Sequence, residues 1–215
     1  MNTAGTLPGH GALMDAIYRR QKHIYDATRK YYLFGRDRLI AGMHVRPGQR
    51  VLELGCGTGR NLALIGRRWS GARLFGLDIS REMLDHAQAK LGTRALLAVG
   101  DATSFDTAAL FGEDGFDHIV LSYALSMIPD WRGTIVHAAG QLAPGGQLHI
   151  VDFGDLTTMP RPLAMLLRRW LDLFHVAPRD NMETVAARIA AENGLWLGQE
   201  HGPLRYYRRL ILKRR

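Results

Sequence analysis

The stretch that decides the fold is VLELGCGTG, residues 51–59, in which four residues of strand composition lead into three closely spaced glycines. Residues 51–54 predict a buried strand, and the glycines predict a sharp turn into a helix. Because glycine has no Cβ, the backbone of such a turn can approach a ligand closely. The motif therefore predicts a ligand site at the end of the first strand.

Strand and helix patterns alternate along the rest of the chain, which is typical of a doubly wound α/β domain with a mostly parallel sheet. Two more strand-like runs near the C-terminus predict an antiparallel hairpin. The predicted strands are residues 51–54, 74–78, 95–99, 116–121, 147–153, 196–200 and 206–212. The predicted helices are residues 13–43 with a break near Gly35, 62–69, 81–91 with Ser80 as its N-cap, 107–111, 133–142, 160–176 and 182–193.

The composition is that of one globular domain. The chain has 215 residues, of which 47% are hydrophobic and 22% charged, and a single cysteine, Cys56. No secretory leader, bilayer-length apolar stretch or Cys/His cluster with metal-ligand spacing is recognisable, so we expect a cytoplasmic protein without a metal. The formal net charge of +8 indicates an anionic partner, either nucleic acid or an acidic membrane surface, and charge alone leaves both open.

Two carboxylates limit the identity of the ligand. Asp78 follows Gly57 by roughly 20 residues, the spacing at which an acidic side chain at the next strand end accepts hydrogen bonds from ribose hydroxyls. Glu53 precedes the first glycine, where a carboxylate would repel a pyrophosphate but suit a cationic amino acid. A nicotinamide or flavin fingerprint would also need a glycine in place of Arg60. S-Adenosylmethionine carries an ammonium, a sulfonium and no phosphate, and is therefore the expected cofactor.

Further candidate contacts follow the third and fourth strands. Asp101 could face the adenine amino group at the carboxyl edge of the sheet, although a turn-forming role is an equal alternative for a lone loop aspartate. Ser122 and Tyr123 follow the fourth strand, at the crevice where such sheets bind ligands. Cys56 is predicted to be a small packing residue within the glycine motif, and not a nucleophile.

Together these segments resemble the class I S-adenosylmethionine-dependent methyltransferases. The resemblance rests on VLELGCGTG at 51–59, LDIS at 77–80, GDA at 100–102, FDHIVLSYALSMIPD at 116–130 and LAPGGQLHIVDFG at 142–154. It implies a seven-stranded Rossmann-like sheet and methyl transfer that leaves S-adenosylhomocysteine. The residues expected to bind the cofactor are Tyr32, Glu53, Gly55, Cys56, Gly57, Asp78, Ile79, Met83, Gly100, Asp101, Ala102 and Ser122.

A narrower resemblance lies in IYDATRKYYLFGRDRLI, residues 24–40. This segment is similar to the diacylglyceryl-homoserine N-methyltransferases of bacterial betaine-lipid synthesis and, more distantly, to bacterial phosphatidylethanolamine N-methyltransferases. The resemblance implies transfer of three methyl groups to the amine of a lipid head group. It also implies that residues 13–44 form a helical lid over the cofactor, with 1–12 as a flexible tail and 45–215 as the methyltransferase domain.

The expected reaction is an in-line displacement, which requires alignment and desolvation but no protein nucleophile. Four tyrosine rings could hold a cationic head group by cation–π contact, those of Tyr25, Tyr31, Tyr32 and Tyr123, with Tyr25 and Tyr32 ranked first. Ordinary packing is an equal alternative for each. A base would help to remove protons from the amine. The candidates are Asp152, His175 and a tyrosine hydroxyl. Asp152, at a strand end, is the best placed, and a capping or core role is the favoured alternative for His175.

The run RPLAMLLRRWL at residues 161–171 combines apolar residues with arginines and a tryptophan. It could lie in a lipid interface with its arginines on head-group phosphates, and a core helix with solvated charges is the equal alternative. We therefore expect a peripheral protein on the inner face of the membrane, with an amino-lipid substrate and an anionic membrane surface as partners.

The sequence is also compatible with three other functions. A nucleic-acid methyltransferase would suit the net charge, but enzymes that methylate exocyclic base amines usually share an Asn/Asp-Pro-Pro-aromatic loop where this chain reads SYAL, residues 122–125. Because no RNA-binding module is appended either, no nucleic-acid partner is expected. A methyltransferase for phosphatidylethanolamine or a small amine, and a cofactor-binding protein without turnover, stay as alternatives.

Overall fold

The structure, a computed structural model, describes residues 33–173 and 176–215. Its strands are β1 Arg50–Leu54, β2 Arg73–Asp78, β3 Ala95–Val99, β4 Phe116–Ser122, β5 Leu142–Phe153, β6 Leu195–His201 and β7 Tyr207–Arg214. Its α-helices are α1 Arg36–Ala41, α2 Arg60–Arg68, α3 Arg81–Leu91, α4 Thr107–Phe111, α5 Trp131–Gly140, α6 Arg161–Asp172 and α7 Met182–Glu192. Short 3-10 turns occupy Gly92–Arg94 and Pro203–Arg205.

The seven strands form one sheet in the order β3-β2-β1-β4-β5-β7-β6. Strands β1 to β5 run parallel, and β7 is antiparallel to both β5 and β6. The predicted α/β architecture with its terminal antiparallel hairpin is confirmed. The strand order reverses between β1 and β4, so their carboxyl ends open a crevice at Leu54 and Ser122, where open α/β sheets bind ligands.

Helices cover both faces of the sheet because the strand side chains alternate in direction. Leu52 and Leu54 belong to a buried cluster that also contains side chains of α5 and α7. Val51 points to the other face and joins a second cluster with residues of α1, α2 and α3. Burial on both faces fixes β1 and the glycine turn that follows it in the centre of the domain.

Several element boundaries differ from the predicted ones. Helix α5 begins at Trp131, two residues earlier than predicted, because the Asp130 carboxylate caps it by accepting from the Gly133 N–H at 2.9 Å. Strand β5 begins at Leu142 rather than at residue 147, since residues 143–146 form a bulge opposite β4. In this bulge Gly145 has a φ of 75°, a left-handed conformation that glycine adopts without strain.

Helix α6 ends at Asp172, four residues before the predicted end. No helix within the described ranges is long and apolar enough to cross a bilayer.

Candidate active site

The glycine turn after β1 has the backbone conformation that its composition predicts. Gly55, Gly57 and Gly59 all have positive φ values, of 68°, 52° and 71°, which L side chains rarely adopt. A Cβ at Gly59 would lie 2.7 Å from Leu91 Cδ1, whereas one at Gly57 would meet no atom within 4 Å. The turn is therefore packed against α3 at one end and open to a cavity in its middle.

Asp78, at the end of β2, fixes this turn. Its Oδ2 accepts a hydrogen bond from the Gly57 N–H at 2.7 Å, and its Oδ1 accepts one from the Ser80 N–H at 3.0 Å. Ser80 caps α3 as predicted, because its hydroxyl accepts from the Met83 N–H at 3.3 Å. One buried carboxylate thus connects the ends of β1 and β2 and the start of α3.

Two adjoining cavities flank the turn, and both include Gly55 and Gly57. The first has a volume of about 250 Å³ and the second of about 300 Å³. The first is lined by Leu33, Arg36, Glu53, Gly55, Cys56, Gly57, Thr58, Arg60, Asn61, Lys90 and Ser122. The second is lined by Gly55, Gly57, Asp78, Ile79, Gly100, Asp101, Ala102, Thr103, Tyr123, Ala124, Met127, Ile128, Pro129 and Asp130.

The first cavity is polar. The Glu53 side chain is only 2% exposed, and its Oε1 accepts a hydrogen bond of 2.7 Å from the Asn61 amide. Ser122 Oγ is buried and makes no hydrogen bond to any described residue, although buried hydroxyls are ordinarily paired. A ligand with an ammonium group and further polar atoms fits these hydrogen-bonding side chains.

The second cavity has an apolar wall with a polar edge. Its apolar lining includes Ile79, Ala102 and residues of the loop that follows β4, and its polar lining includes Asp78 and Asp101. Asp101 Oδ1 also accepts from the N–H and the hydroxyl of Thr103, both at 2.8 Å, so it forms a turn as well as lining the cavity. A flat, largely apolar ring with hydroxyls beside Asp78 fits this shape.

Cys56 lines the first cavity and is buried. Burial, and then the nearby carboxylates of Asp78 and Glu53, raise the pKa of the Cys56 thiol well above its usual value. The thiol therefore stays protonated near neutral pH, and a protonated thiol is a poor nucleophile.

Tyr123 connects the crevice to Phe34, which precedes helix α1. Its hydroxyl donates to the Phe34 carbonyl at 2.5 Å, and its ring contacts Phe153 edge to face with centroids 4.8 Å apart. Burial is the largest cause that raises the pKa of the Tyr123 hydroxyl, which therefore remains a proton donor. Tyr123 lines the second cavity, and its backbone φ of 57° is a strained conformation of the kind found at functional sites.

Asp152 lines neither cavity. It is buried in β5, where Oδ2 accepts from the Ser126 N–H at 3.1 Å. Burial raises the pKa of Asp152 to about 6, against the opposing effect of hydrogen bonds to backbone N–H groups and of Arg208. Because a base must lie within hydrogen-bond reach of the proton it removes, an acceptor amine in either cavity has no direct contact with this carboxylate.

Most of the predicted cofactor residues meet at this crevice. Met83 is buried and lines neither cavity, and Tyr25, Tyr31, Tyr32 and His175 lie outside the described residues. Several cavity-lining residues were not predicted from the sequence: Leu33, Arg36, Thr58, Arg60, Asn61, Lys90, Thr103, Ala124, Met127, Ile128, Pro129 and Asp130. Residues 124–130 lie in a segment quoted for the family resemblance, and Leu33 and Arg36 lie in the segment quoted for the narrower one, whereas no sequence signal pointed to Lys90.

Comparison with known proteins identifies the family. Residues 51–146 match a family model described as a methyltransferase domain. The chain is 32% identical over 160 residues to a phosphatidylethanolamine N-methyltransferase from Cereibacter sphaeroides, a match that covers 70% of this chain and 77% of that relative. The chain belongs to the class I S-adenosylmethionine-dependent methyltransferases. This methyltransferase is also 30% identical over 168 residues to a demethylmenaquinone methyltransferase from Clavibacter sepedonicus, covering 75% of this chain and 64% of that one.

Among solved structures, the methyltransferase superposes on phosphoethanolamine N-methyltransferase 2 from Haemonchus contortus in complex with phosphomonomethylethanolamine and S-adenosylhomocysteine. The TM-score is 0.72 at 15% identity, over 97% of this chain and 61% of that one. This similarity shows a shared fold. The cofactor of the methyltransferase is S-adenosylmethionine, and residues 33–173 and 176–215 contain no cluster of three or more His, Cys, Asp or Glu side chains arranged to hold a metal.

Proposed function

We propose that this methyltransferase transfers methyl groups to the amine of a lipid head group, with diacylglyceryl-homoserine as the first candidate and the trimethylated betaine lipid as its product. The observation that carries the proposal is the match to a phosphatidylethanolamine N-methyltransferase over 77% of that relative's length. The aromatic and basic run at residues 24–40 favours the homoserine lipid over phosphatidylethanolamine, which is the second candidate.

Methyl transfer from the sulfonium to an amine requires the protein mainly to align the two reactants. The lone pair of the amine attacks the methyl carbon, the carbon–sulfur bond breaks with its electrons remaining on sulfur, and S-adenosylhomocysteine leaves. The first two transfers also release a proton from nitrogen, whereas the third gives a permanent cation. The protein therefore has to place the amine in line with the sulfonium and exclude water.

The cofactor residues divide between the two cavities in this proposal. Glu53 holds the ammonium of the methionine part in the first cavity, and Asp78 holds the ribose hydroxyls. Ile79 and Ala102 enclose the adenine in the second cavity, and Asp101 meets its amino group. Two buried carboxylates beside a sulfonium also suit the charge that the cofactor carries.

The acceptor enters where the two cavities meet, next to Tyr123 in the proposed arrangement. A Tyr ring there can stabilise a methylated ammonium by cation–π contact. Tyr25 and Tyr32, in the proposed lid of residues 13–44, supply the other aromatic faces. The protons of the amine leave to water, or to Asp152 through intervening groups, since Asp152 touches neither cavity.

Exposed apolar and basic residues on helix α6 support the proposal of a lipid substrate. Helix α6 leaves Leu163, Met165 and Leu166 exposed, with exposed fractions of 49%, 62% and 66%. Arg161 and Arg169 on the same helix are also exposed. Exposed leucines beside arginines are typical of helices that lie in an anionic lipid interface, and we propose that the enzyme works there, on the inner face of the membrane.

The proposal is tested by incubating the purified protein with methyl-labelled S-adenosylmethionine and, separately, lipid vesicles, bulk RNA and small amines. Extraction into organic solvent then separates labelled lipid from labelled water-soluble products. Label in a lipid fraction supports the proposal. Label confined to RNA or to the aqueous phase overturns it, while leaving the methyltransferase family assignment intact.

A further inference from the structure

The turn at residues 124–128, which follows β4, supplies part of the wall of the second cavity. Ala124, Met127 and Ile128 line that cavity, and so does Tyr123 immediately before the turn. The N–H groups of Met127 and Ile128 both donate to the Ala124 carbonyl, at 3.0 Å and 3.1 Å. As at the end of a helix, the carbonyls that follow in such a turn need partners from outside it.

Two of these carbonyls are bound by one arginine in residues 176–180, a segment between α6 and α7. Arg179 donates from Nε to the Leu125 carbonyl at 3.1 Å and from Nη2 to the Ile128 carbonyl at 2.9 Å. A guanidinium suits this task because its N–H groups are fixed in one plane, so that a single side chain binds two carbonyls at once. The turn is therefore attached to a segment that lies about 50 residues further along the chain.

Two further hydrogen bonds hold the same turn through Ser126. Its carbonyl accepts from the Ala177 N–H at 3.0 Å, and its N–H donates to Asp152 Oδ2 at 3.1 Å. Tyr123, directly before the turn, has the strained φ of 57°. A strained backbone persists only where the surrounding contacts over-determine it, and the bonds from Arg179, Ala177 and Asp152 are such contacts.

We propose that Arg179 is a positioning residue for the cofactor site, which holds the turn at residues 124–128 in the conformation that accepts the adenosine part of S-adenosylmethionine. Arg179 lines neither cavity, so its effect passes through the two carbonyls that it binds. The assignment rests on the placement of the adenosine part in the second cavity under the proposed function. It does not depend on the lipid acceptor.

Calorimetry of S-adenosylhomocysteine binding tests the assignment. Arg179→Met removes both hydrogen bonds and keeps an unbranched side chain, whereas Arg179→Lys keeps the charge without the planar group. The matched control is Arg214→Met, because Arg214 also donates to two carbonyls, those of Leu142 at 2.6 Å and Ala139 at 3.2 Å. These carbonyls lie where β5 begins, at the edge of the sheet opposite the crevice. The binding stoichiometry gives the folded fraction, so each dissociation constant describes folded protein.

Arg179→Met should weaken S-adenosylhomocysteine binding by about tenfold, as expected when charge-assisted hydrogen bonds that shape a site are lost. Arg179→Lys should recover part of this affinity. Arg214→Met should melt at a lower temperature and bind like the wild type. Wild-type affinity in Arg179→Met, or an equal loss of affinity in Arg214→Met, overturns the assignment, because a purely structural arginine changes the melting temperature alone.

Hydrogen exchange in the absence of ligand provides a second measurement. The amides of Met127 and Ile128 should exchange about tenfold faster in Arg179→Met than in the wild type, and at the wild-type rate in Arg214→Met, since exchange requires the turn to open. An affinity loss in Arg179→Met without faster exchange at these two amides would also overturn the assignment.

Asp78→Ala tests the placement of the cofactor separately. Normal binding in Asp78→Ala together with weak binding in Arg179→Met would contradict the proposed ribose contact and support the role of Arg179. The converse result would remove the role of Arg179 and leave the ribose contact in place. A lack of methyl transfer to lipid would contradict the proposed acceptor alone, because the binding measurement uses no acceptor.

Discussion

Asp78 Oδ2 and the Gly57 backbone N–H are joined by a hydrogen bond of 2.7 Å, which connects the end of β2 to the glycine turn after β1. The bond explains why an acidic residue follows the glycine motif at a fixed distance along the chain. The same carboxylate that is proposed to hold the ribose also holds the turn against which the cofactor lies. Cofactor affinity and local stability should therefore depend on the same side chain.

Replacing Asp78 by Ala should weaken S-adenosylhomocysteine binding by about 10- to 100-fold, because hydrogen bonds to the ribose are lost. The melting temperature should fall as well, since the N–H groups of Gly57 and Ser80 lose their acceptor. Calorimetry and thermal unfolding check the two effects. Asp85→Ala, at an exposed position on α3, is the matched control and should bind normally, and normal affinity in Asp78→Ala would refute the ribose assignment.

Gly35→Ala should destabilise the fold more than Gly48→Ala. The two glycines have nearly the same φ, 84° and 83°, but a Cβ at Gly48 meets no atom within 4 Å, whereas one at Gly35 clashes with the Tyr207 ring. We expect Gly48→Ala to lower the free energy of unfolding by about 1 kcal/mol from backbone strain. Gly35→Ala should cost about 1–3 kcal/mol more from overpacking. Denaturant unfolding measures the difference, and equal losses would contradict the anchoring of α1 on β7.

Leu166→Ser should weaken binding to anionic vesicles in a flotation assay, and added salt should weaken wild-type binding too because arginines contribute. The matched control is Leu96→Ser, since Leu96 is 50% exposed on β3, at one edge of the sheet and away from α6. That control should float like the wild type. The membrane surface proposed for α6 is wrong if both variants float equally well.

The buried pair of His118 and His149 should make the protein sensitive to acid. Their Nδ1 and Nε2 atoms lie 3.0 Å apart, and His118 Nε2 lies 3.3 Å from Gln49 Oε1. Since Gln49 Oε1 accepts, His118 Nδ1 is the acceptor for the His149 N–H. Burial lowers the pKa of His118 from 6.5 to about 4 and also lowers that of His149.

Because only the unfolded chain accepts these protons readily, the stability that the neutral pair provides is complete above about pH 6.5 and is lost as pH falls toward about 4. Denaturant unfolding at several pH values should show this decline. The decline should be shallower in His149→Gln and unchanged in His86→Gln, at an exposed position on α3. Equal slopes in all three proteins would show that other groups set the acid sensitivity.

The sequence predicted those features of the site that depend on the local chemistry of the chain. The positive φ values of Gly55 and Gly57 follow from glycine itself, and the position of Asp78 follows from the parallel order of β1 and β2. The helix over residues 81–91 was predicted with its Ser80 cap for the same reason, since a capping hydroxyl acts within one turn.

The features that the sequence did not predict depend on contacts between segments that are far apart along the chain. Arg36 and Arg38 are two residues apart in one basic run, yet Arg36 is buried and Arg38 is exposed, a difference that the run itself does not predict. Asp152 was a reasonable base at a strand end, but the loop at Ser126 covers it. The early start of β5 arises from a bulge, whose pairing partner lies on β4.

The most direct test of the account is mass spectrometry of the lipids recovered after the purified protein is incubated with S-adenosylmethionine and vesicles. The vesicles contain diacylglyceryl-homoserine, phosphatidylethanolamine or neither, and Asp78→Ala at limiting S-adenosylmethionine serves as the control with weakened cofactor binding. The wild type should give mono-, di- and trimethylated homoserine lipid that accumulates in sequence, and the variant should give less of each. Unmodified lipids in every vesicle, together with methyl transfer to a water-soluble acceptor, would contradict it.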